Sequence, residues 1–217
     1  MLLILAGMVR SGSTLSYQIA NELVGDEGNS RRVRWMPDGA ISSPDWHIVK
    51  THRYRPEFLN EIQKGRVRVV TTIRDPRDST VSIMTLRQTT PFDKAFDRVI
   101  ASMNAQDLWE KNVTDGLSVH RYEDFHKNIS SLVWTVSMAL GGVELEQDEI
   151  ERIAEKFSYE NNKEKAYKYA NIQADYTFPK HMQDGVVGKW KTKLTRKQQA
   201  RFNEPWIALW MEEHGYA

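Results

Sequence analysis

The amino-acid sequence predicts an α/β fold, a single domain with a central parallel sheet flanked by helices. Two observations predict it. Short apolar runs of strand length alternate with amphipathic stretches of helix length, the pattern of strands buried on both faces beneath crossover helices. The first apolar run, "LLILAG", also leads through a glycine-containing loop directly into such an amphipathic stretch.

In chain order, "LLILAG" (2–7) is a strand with no polar residue to offer water, and "TLSYQIANELV" (14–24) is a helix with Ile19 and Leu23 on one face. "WHIVKTH" (46–52) and "RVRVVTTIRD" (66–75) are strands, the second ended by Pro76. "PRDSTVSIMTLR" (76–87) is helical after its proline, and a longer helical region runs through "FDRVIASMNAQDLWEKN" (96–112). "LSVHRYED" (117–124) is a strand, and the remainder is helical and polar, closing with "EPWIALWMEEHGY" (204–216). In sheets of this kind ligands bind beyond the carboxyl ends of the strands. The residues that follow each strand are therefore the candidates for function.

With 217 residues, 40% hydrophobic and 27% charged, the chain buries one substantial core and is short for two, so residues 1–217 are expected to form one domain. Lys and Arg total 30 against 29 for Asp and Glu, a formal net charge of +1. That balance argues against nucleic acid or an anionic membrane as the main partner and makes any anion site local. Cysteine is absent, which excludes disulfides, zinc-thiolate sites and a cysteine nucleophile and tilts the expected compartment to the cytoplasm. The start, "MLLILAG", has no basic leader and no apolar run of ~18 residues, and reads as a strand rather than a signal peptide. The sequons at Asn112 and Asn128 read as chance triplets.

Five clusters follow the strands. From Gly7 to Thr14, "GMVRSGST" has the spacing of a nucleotide-binding P-loop, G-x-x-x-x-G-K-[ST], with Ser13 where the lysine belongs. A strand, this loop and a helix gather backbone N–H groups and the helix's partial positive charge into an anion cradle, so the domain is of P-loop type. Ser13 cannot supply the lysine's charge; the nearest cation is Arg10. In "KTHR", Lys50 and His52 are alternate residues of an extended segment and share a side, a cation beside a titratable base. In "TTIRDPRDSTVS", Arg74 ends a strand and Ser82 follows eight positions on at the start of the next helix, a suitable phosphate clamp. "RYED" (121–124) and "DGVVGKWK" (184–191) complete the set.

The ordered series "RSGST", "KTH", "RDPRDSTVS", "YED" and G-x-x-G-x-W-K resembles the sulfotransferases that use 3′-phosphoadenosine 5′-phosphosulfate (PAPS), from Gly7 to about Phe202. The resemblance implies a PAPS co-substrate, adenosine 3′,5′-bisphosphate as product, no metal, and a small-molecule or carbohydrate acceptor. It also implies that the loop's cation sits at Arg10 because a sulfuryl donor needs no metal clamp. Carried over by position, Arg10, Ser11, Gly12, Ser13 and Thr14 would hold the 5′-phosphosulfate, and Arg74 and Ser82 the 3′-phosphate. Tyr122 would lie near the nucleotide and Tyr159, in "FSYE", would pack on adenine. His52 would be the catalytic base, suited by an unperturbed pKa of about 6.5, with Lys50 and Arg10 stabilising charge on the leaving phosphate.

The sequence also departs from the family. Where cytosolic members carry "RKG" before the last G-x-W-K, this chain has Gln183, Asp184 and Gly185, leaving Gly185 for the 3′-phosphate and Lys189 or Lys191 as replacement cations. The dimer motif K-x-x-x-T-V-x-x-x-E is matched only at Lys191 and Thr195, so that dimer is not expected. "RRVRWMPDG", with three arginines and Trp35, reads as a solvated basic surface ahead of an acceptor contact, and His181 as a lesser substrate contact. His47, His120, His126 and His214 read as structural or surface histidines, and Trp190, Trp206 and Trp210 as packing residues. Two rivals remain: a P-loop kinase with an altered loop, and a nucleotide-binding relative without turnover.

Overall fold

The computed structural model describes residues 2–24, 31–32, 47–86, 90–141, 145–168 and 185–216. Five parallel strands form one sheet in the order β2-β3-β1-β4-β5: β1 (Leu2–Gly7), β2 (Arg31–Arg32), β3 (His47–Thr51), β4 (Val67–Ile73) and β5 (Leu117–Arg121). β1 is central, pairing Leu5 with Lys50 on one side and Gly7 with Thr72 on the other. The chain leaves β1 towards β3 and later crosses to β4. The strand order therefore reverses around β1, whose carboxyl end opens into the crevice where such sheets bind ligands.

The helices are α1 (Ser13–Val24), α2 (Leu59–Gln63), α3 (Pro76–Leu86), α4 (Phe92–Asn112), α5 (Tyr122–Phe125), α6 (Ile129–Ala139), α7 (Gln147–Lys156), α8 (Tyr159–Lys168), α9 (Trp190–Lys193), α10 (Arg196–Ala200) and α11 (Pro205–Glu213). β1 is apolar throughout because both faces are covered. Leu3 and Leu5 pack with Tyr17 and Ile19 of α1 and Leu132, Val133 and Val136 of α6. Leu2, Ile4 and Ala6 face the opposite layer with Val49, Val67 and Trp109. Met8 and Ile73, at the strand ends, join a third cluster formed by α3, α4 and α11 through Val81, Phe96, Val99, Ile207 and Trp210. Among the described residues no helix is long and apolar enough to cross a membrane.

The structure corrects several sequence boundaries. The strand expected over 117–124 stops at Arg121, and Tyr122 begins a helical turn; that turn brings Tyr122 to the loop after β1, where its ring lies 3.3 Å from where a Cβ on Gly12 would be. Arg31–Arg32, read as basic surface, forms the edge strand β2. Trp206 is 39% exposed, because the buried stripe of α11 is Ile207, Trp210 and Met211 and Trp206 lies at its margin. Thr195, one of the matched dimer-motif positions, is the N-cap of α10, in a capping box with Gln198. Trp35, His181, Gln183 and Asp184 lie outside the described residues.

Candidate functional site

A cavity of about 340 Å³ opens at the carboxyl end of β1. The loop that floors it is fixed by close approaches. A Cβ on Gly7 would sit 2.4 Å from Thr72 Oγ1, and Gly12, at φ +89°, would drive one to 2.8 Å from the Phe125 ring. Arg10 takes φ +66°, a left-handed conformation disfavoured for a side-chain-bearing residue. The Ser11 hydroxyl donates to Met8 O at 2.7 Å and pairs with Thr72 Oγ1 at 2.7 Å, fully buried. Ser11 is thus the one loop residue from Arg10 to Thr14 that does not line the cavity; its side chain braces the loop from beneath. Gly12, Ser13 and Thr14 line the cavity at the start of α1, where the first N–H groups of a helix have no intrahelical acceptor.

Arg10 and Arg74 meet over this loop. Arg10 Nε donates to Ser82 Oγ at 2.9 Å, while Arg74 donates through one terminal nitrogen to Arg10 O at 3.3 Å and through the other to Val186 O at 3.1 Å. Burial first, then the nearby charge of Arg74, lowers the Arg10 pKa to about 10. Arg74 lies over the Tyr122 ring at 4.3 Å and is only 7% exposed, and its Nε is buried with no hydrogen-bond partner among the described residues. A buried guanidinium nitrogen left without an acceptor costs free energy unless a ligand oxygen fills the place. Ser82, paired with Arg74 in the sequence reading, lines the cavity with it and accepts from Arg10.

At the other end, Lys50 Nζ stands 3.4 Å from His52 Nε2, and His52 Nδ1 lies 2.8 Å from Gly7 O. A carbonyl only accepts, so Nδ1 carries the proton and Nε2 keeps its lone pair. Burial, then the charge of Lys50, depresses the imidazole pKa to about 4, against a smaller raising effect of the Gly7 carbonyl; Arg98 and Arg10 lower it further. The ring is neutral at neutral pH.

The segment after residue 184 is held to this frame from α3. Asp78, 2% exposed, accepts from the backbone N–H of Gly188 at 2.5 Å and of Trp190 at 3.0 Å. Arg77 forks onto Asp75, stacks 3.9 Å over Trp190 and donates to Tyr216 O at 2.6 Å. Gly185, at φ +66°, and Lys189 line the cavity, whereas Lys191 lies 5.8 Å over the Trp190 ring. Tyr122 and Tyr159 also line it, so eleven of the twelve distinct site residues named from the sequence share one cavity, with Ser11 the exception just described.

Sequence reading missed other members. Asp78 stood in the quoted "RDPRDSTVS" and its acidity was a usable signal, but its partners come 110 and 112 residues later. Arg98 of α4 lines the cavity, as does His126, whose Nδ1 lies within hydrogen-bond reach of Tyr122 O and Glu123 O, as a structural histidine's would, and whose ring stacks on Tyr122 at 5.1 Å. Phe157 and Ile129 add an apolar wall beside Tyr159.

The chain matches the family model of the sulfotransferase domain over residues 2–214. Its structure is similar to that of mouse sulfotransferase SULT7A1 complexed with PAP, with a TM-score of 0.73 and 20% identity over 97% of this chain and 84% of that one. It is also similar to retinol dehydratase in complex with androsterone and inactive cofactor PAP, with a TM-score of 0.66 and 17% identity over 98% and 79% of the two chains. Retinol dehydratase in a complex with retinol and PAP matches at a TM-score of 0.64 and 17% identity, over 98% and 80%.

Proposed function

The chain belongs to the sulfotransferase family, and on that premise we propose that it moves the sulfuryl group of PAPS to a hydroxyl or amine acceptor, releasing adenosine 3′,5′-bisphosphate (PAP). What carries this reading is the shared cavity: at one end a neutral imidazole whose Nε2 lone pair accepts from Lys50, and at the other a buried Arg74 whose Nε has no partner among the described residues. That orphaned nitrogen fits an anionic group of the donor. The solved relatives, complexed with PAP, support the same choice of donor.

Each residue then has a task. Gly12, Ser13 and Thr14 offer N–H groups, and Arg10 a fixed charge, to the 5′-phosphosulfate. Arg74 and Lys189 hold the 3′-phosphate, Tyr122 braces Arg74 by stacking, and Tyr159 with Phe157 packs on the base. Ser82 serves this site indirectly by aiming Arg10, and Gly185 gives the backbone room beside the Tyr122 hydroxyl, 3.0 Å from where its Cβ would lie.

His52 Nε2 takes the acceptor's proton as the acceptor oxygen or nitrogen bonds to sulfur and the sulfur–oxygen bond to the phosphate breaks; the electron pair of that bond goes to the phosphate. Lys50 and Arg10 stabilise the charge that develops there. Gly7 O holds the imidazole in the productive tautomer and disperses its charge once protonated. The resting pKa of about 4 makes a weak base, and anionic groups seated against Lys50 and Arg10 raise it by offsetting the charges that depress it. Incubation with PAPS and a panel of alcohols, phenols and amines, with mass detection of a sulfated product, tests the reading. Product from wild type and far less from His52→Ala supports it; PAP binding without any turnover supports the inactive relative instead.

A further inference from the structure

Among the described residues that line the cavity, five are cations, Arg10, Lys50, Arg74, Arg98 and Lys189, and one is a carboxylate, Asp78. Both Asp78 oxygens are already engaged by the N–H groups of Gly188 and Trp190. With PAPS bound as proposed above, Arg10 and Lys50 face the phosphosulfate and Arg74 and Lys189 the 3′-phosphate. Arg98 is left over.

Arg98 projects from α4 into the cavity that His52 also lines, and its charge is felt at His52. It makes no hydrogen bond or ion pair with any described residue. Its own helix offers none, since the positions three and four away are Lys94, Ala95, Ala101 and Ser102. Val9, Ile83 and Leu86 give the same cavity an apolar wall. A guanidinium collected with two further cations around the base gains most from a ligand that brings negative charge.

We infer that the acceptor carries an anionic group, a carboxylate or a phosphate, in addition to the hydroxyl or amine that is sulfated, and that Arg98 binds this group and so selects the acceptor. The inference rests on the proposed sulfotransfer at this site. It sets the chain apart from the relatives seen with androsterone or retinol.

The test uses matched pairs that differ only in the anion: 4-hydroxyphenylacetate with its methyl ester, and glucose 6-phosphate with glucose. Each is titrated calorimetrically into PAP-saturated protein, and sulfation with PAPS is followed in parallel. The wild type is expected to favour the anionic member of at least one pair by on the order of tenfold to a hundredfold, the range of a charge-assisted hydrogen bond. Which pair responds separates a carboxylate from a phosphate. Arg98→Ala removes the preference, Arg98→Glu reverses it and Arg98→Lys restores part of it, while PAP affinity, the control for an intact donor site, does not change. A wild type that binds both members equally, or neither, overturns the inference, as does a preference that survives in Arg98→Ala. If PAP itself does not bind, the donor reading falls and this inference with it; PAP binding without anion preference overturns this inference alone.

Discussion

The two ends of the cavity are built on different plans. At the donor end nearly every polar side chain is held by another element: Arg10 by Ser82, Ser11 by Thr72, Arg74 by two backbone carbonyls, and the turn at Gly188 by Asp78. At the acceptor end, among the described residues, the imidazole is held by Gly7 O and paired with Lys50, and the cavity is also lined by aliphatic side chains and by Arg98, which has no bonded partner among the described residues. A site whose dipoles and charges are aimed before the ligand arrives reorganises little during reaction. A loosely furnished wall leaves recognition to the ligand's own groups. The contrast teaches that the donor is specified by the fold and the acceptor by a few side chains.

Substitutions at the two ends should therefore fail differently. The largest effect belongs to His52→Ala, which is expected to lower kcat by ~10²–10⁴ while PAP still binds; a comparable loss of PAP affinity would erase the distinction between the ends. Next is Arg74→Ala, which removes a buried charged donor and should weaken PAP by about 10- to 100-fold, read by calorimetry. Asp78→Ala touches no ligand group in this scheme, yet frees the Gly188–Trp190 turn. It should weaken PAP by roughly tenfold, with Asp78→Asn intermediate because one acceptor oxygen survives; unchanged affinity would show that this brace is dispensable.

The smallest effect is on the pH profile. As the proposed base, His52 would act only when unprotonated, and burial together with Lys50 lowers its pKa to about 4. Activity is thus retained as pH falls through the ordinary histidine range near 6.5 and is lost as it approaches 4. In kcat/KM, which reports the free enzyme, the acid limb is expected below 6.5; a limb at or above 6.5 would place the imidazole in a far more solvated setting than the structure gives it.

Much of this was legible in the sequence, for identifiable reasons. β1 and β4 announce themselves as apolar runs because both faces are buried. Lys50 and His52 could be paired because alternate residues of an extended segment share a side. β2 could not be read, since two arginines at a sheet edge carry neither apolar content nor period. Tyr122 was placed in a strand because "LSVHRYED" shows no break where the backbone turns. The brace at Asp78 and the exposed Arg98 depend on which distant elements they face, and no local pattern encodes that. Ser11 matched the loop by position, yet its hydroxyl is drawn inward by Thr72, a partner 61 residues away.

The measurement that bears most directly on the central claim, that the donor end is shaped for an adenosine 3′,5′-bisphosphate unit, is calorimetric titration with PAP beside ATP and magnesium, on wild type and Arg74→Ala. Saturable PAP binding, weakened in the variant and unmatched by ATP, is the predicted result. Tight magnesium-dependent ATP binding with no response to PAP would contradict it and return the P-loop kinase reading to first place.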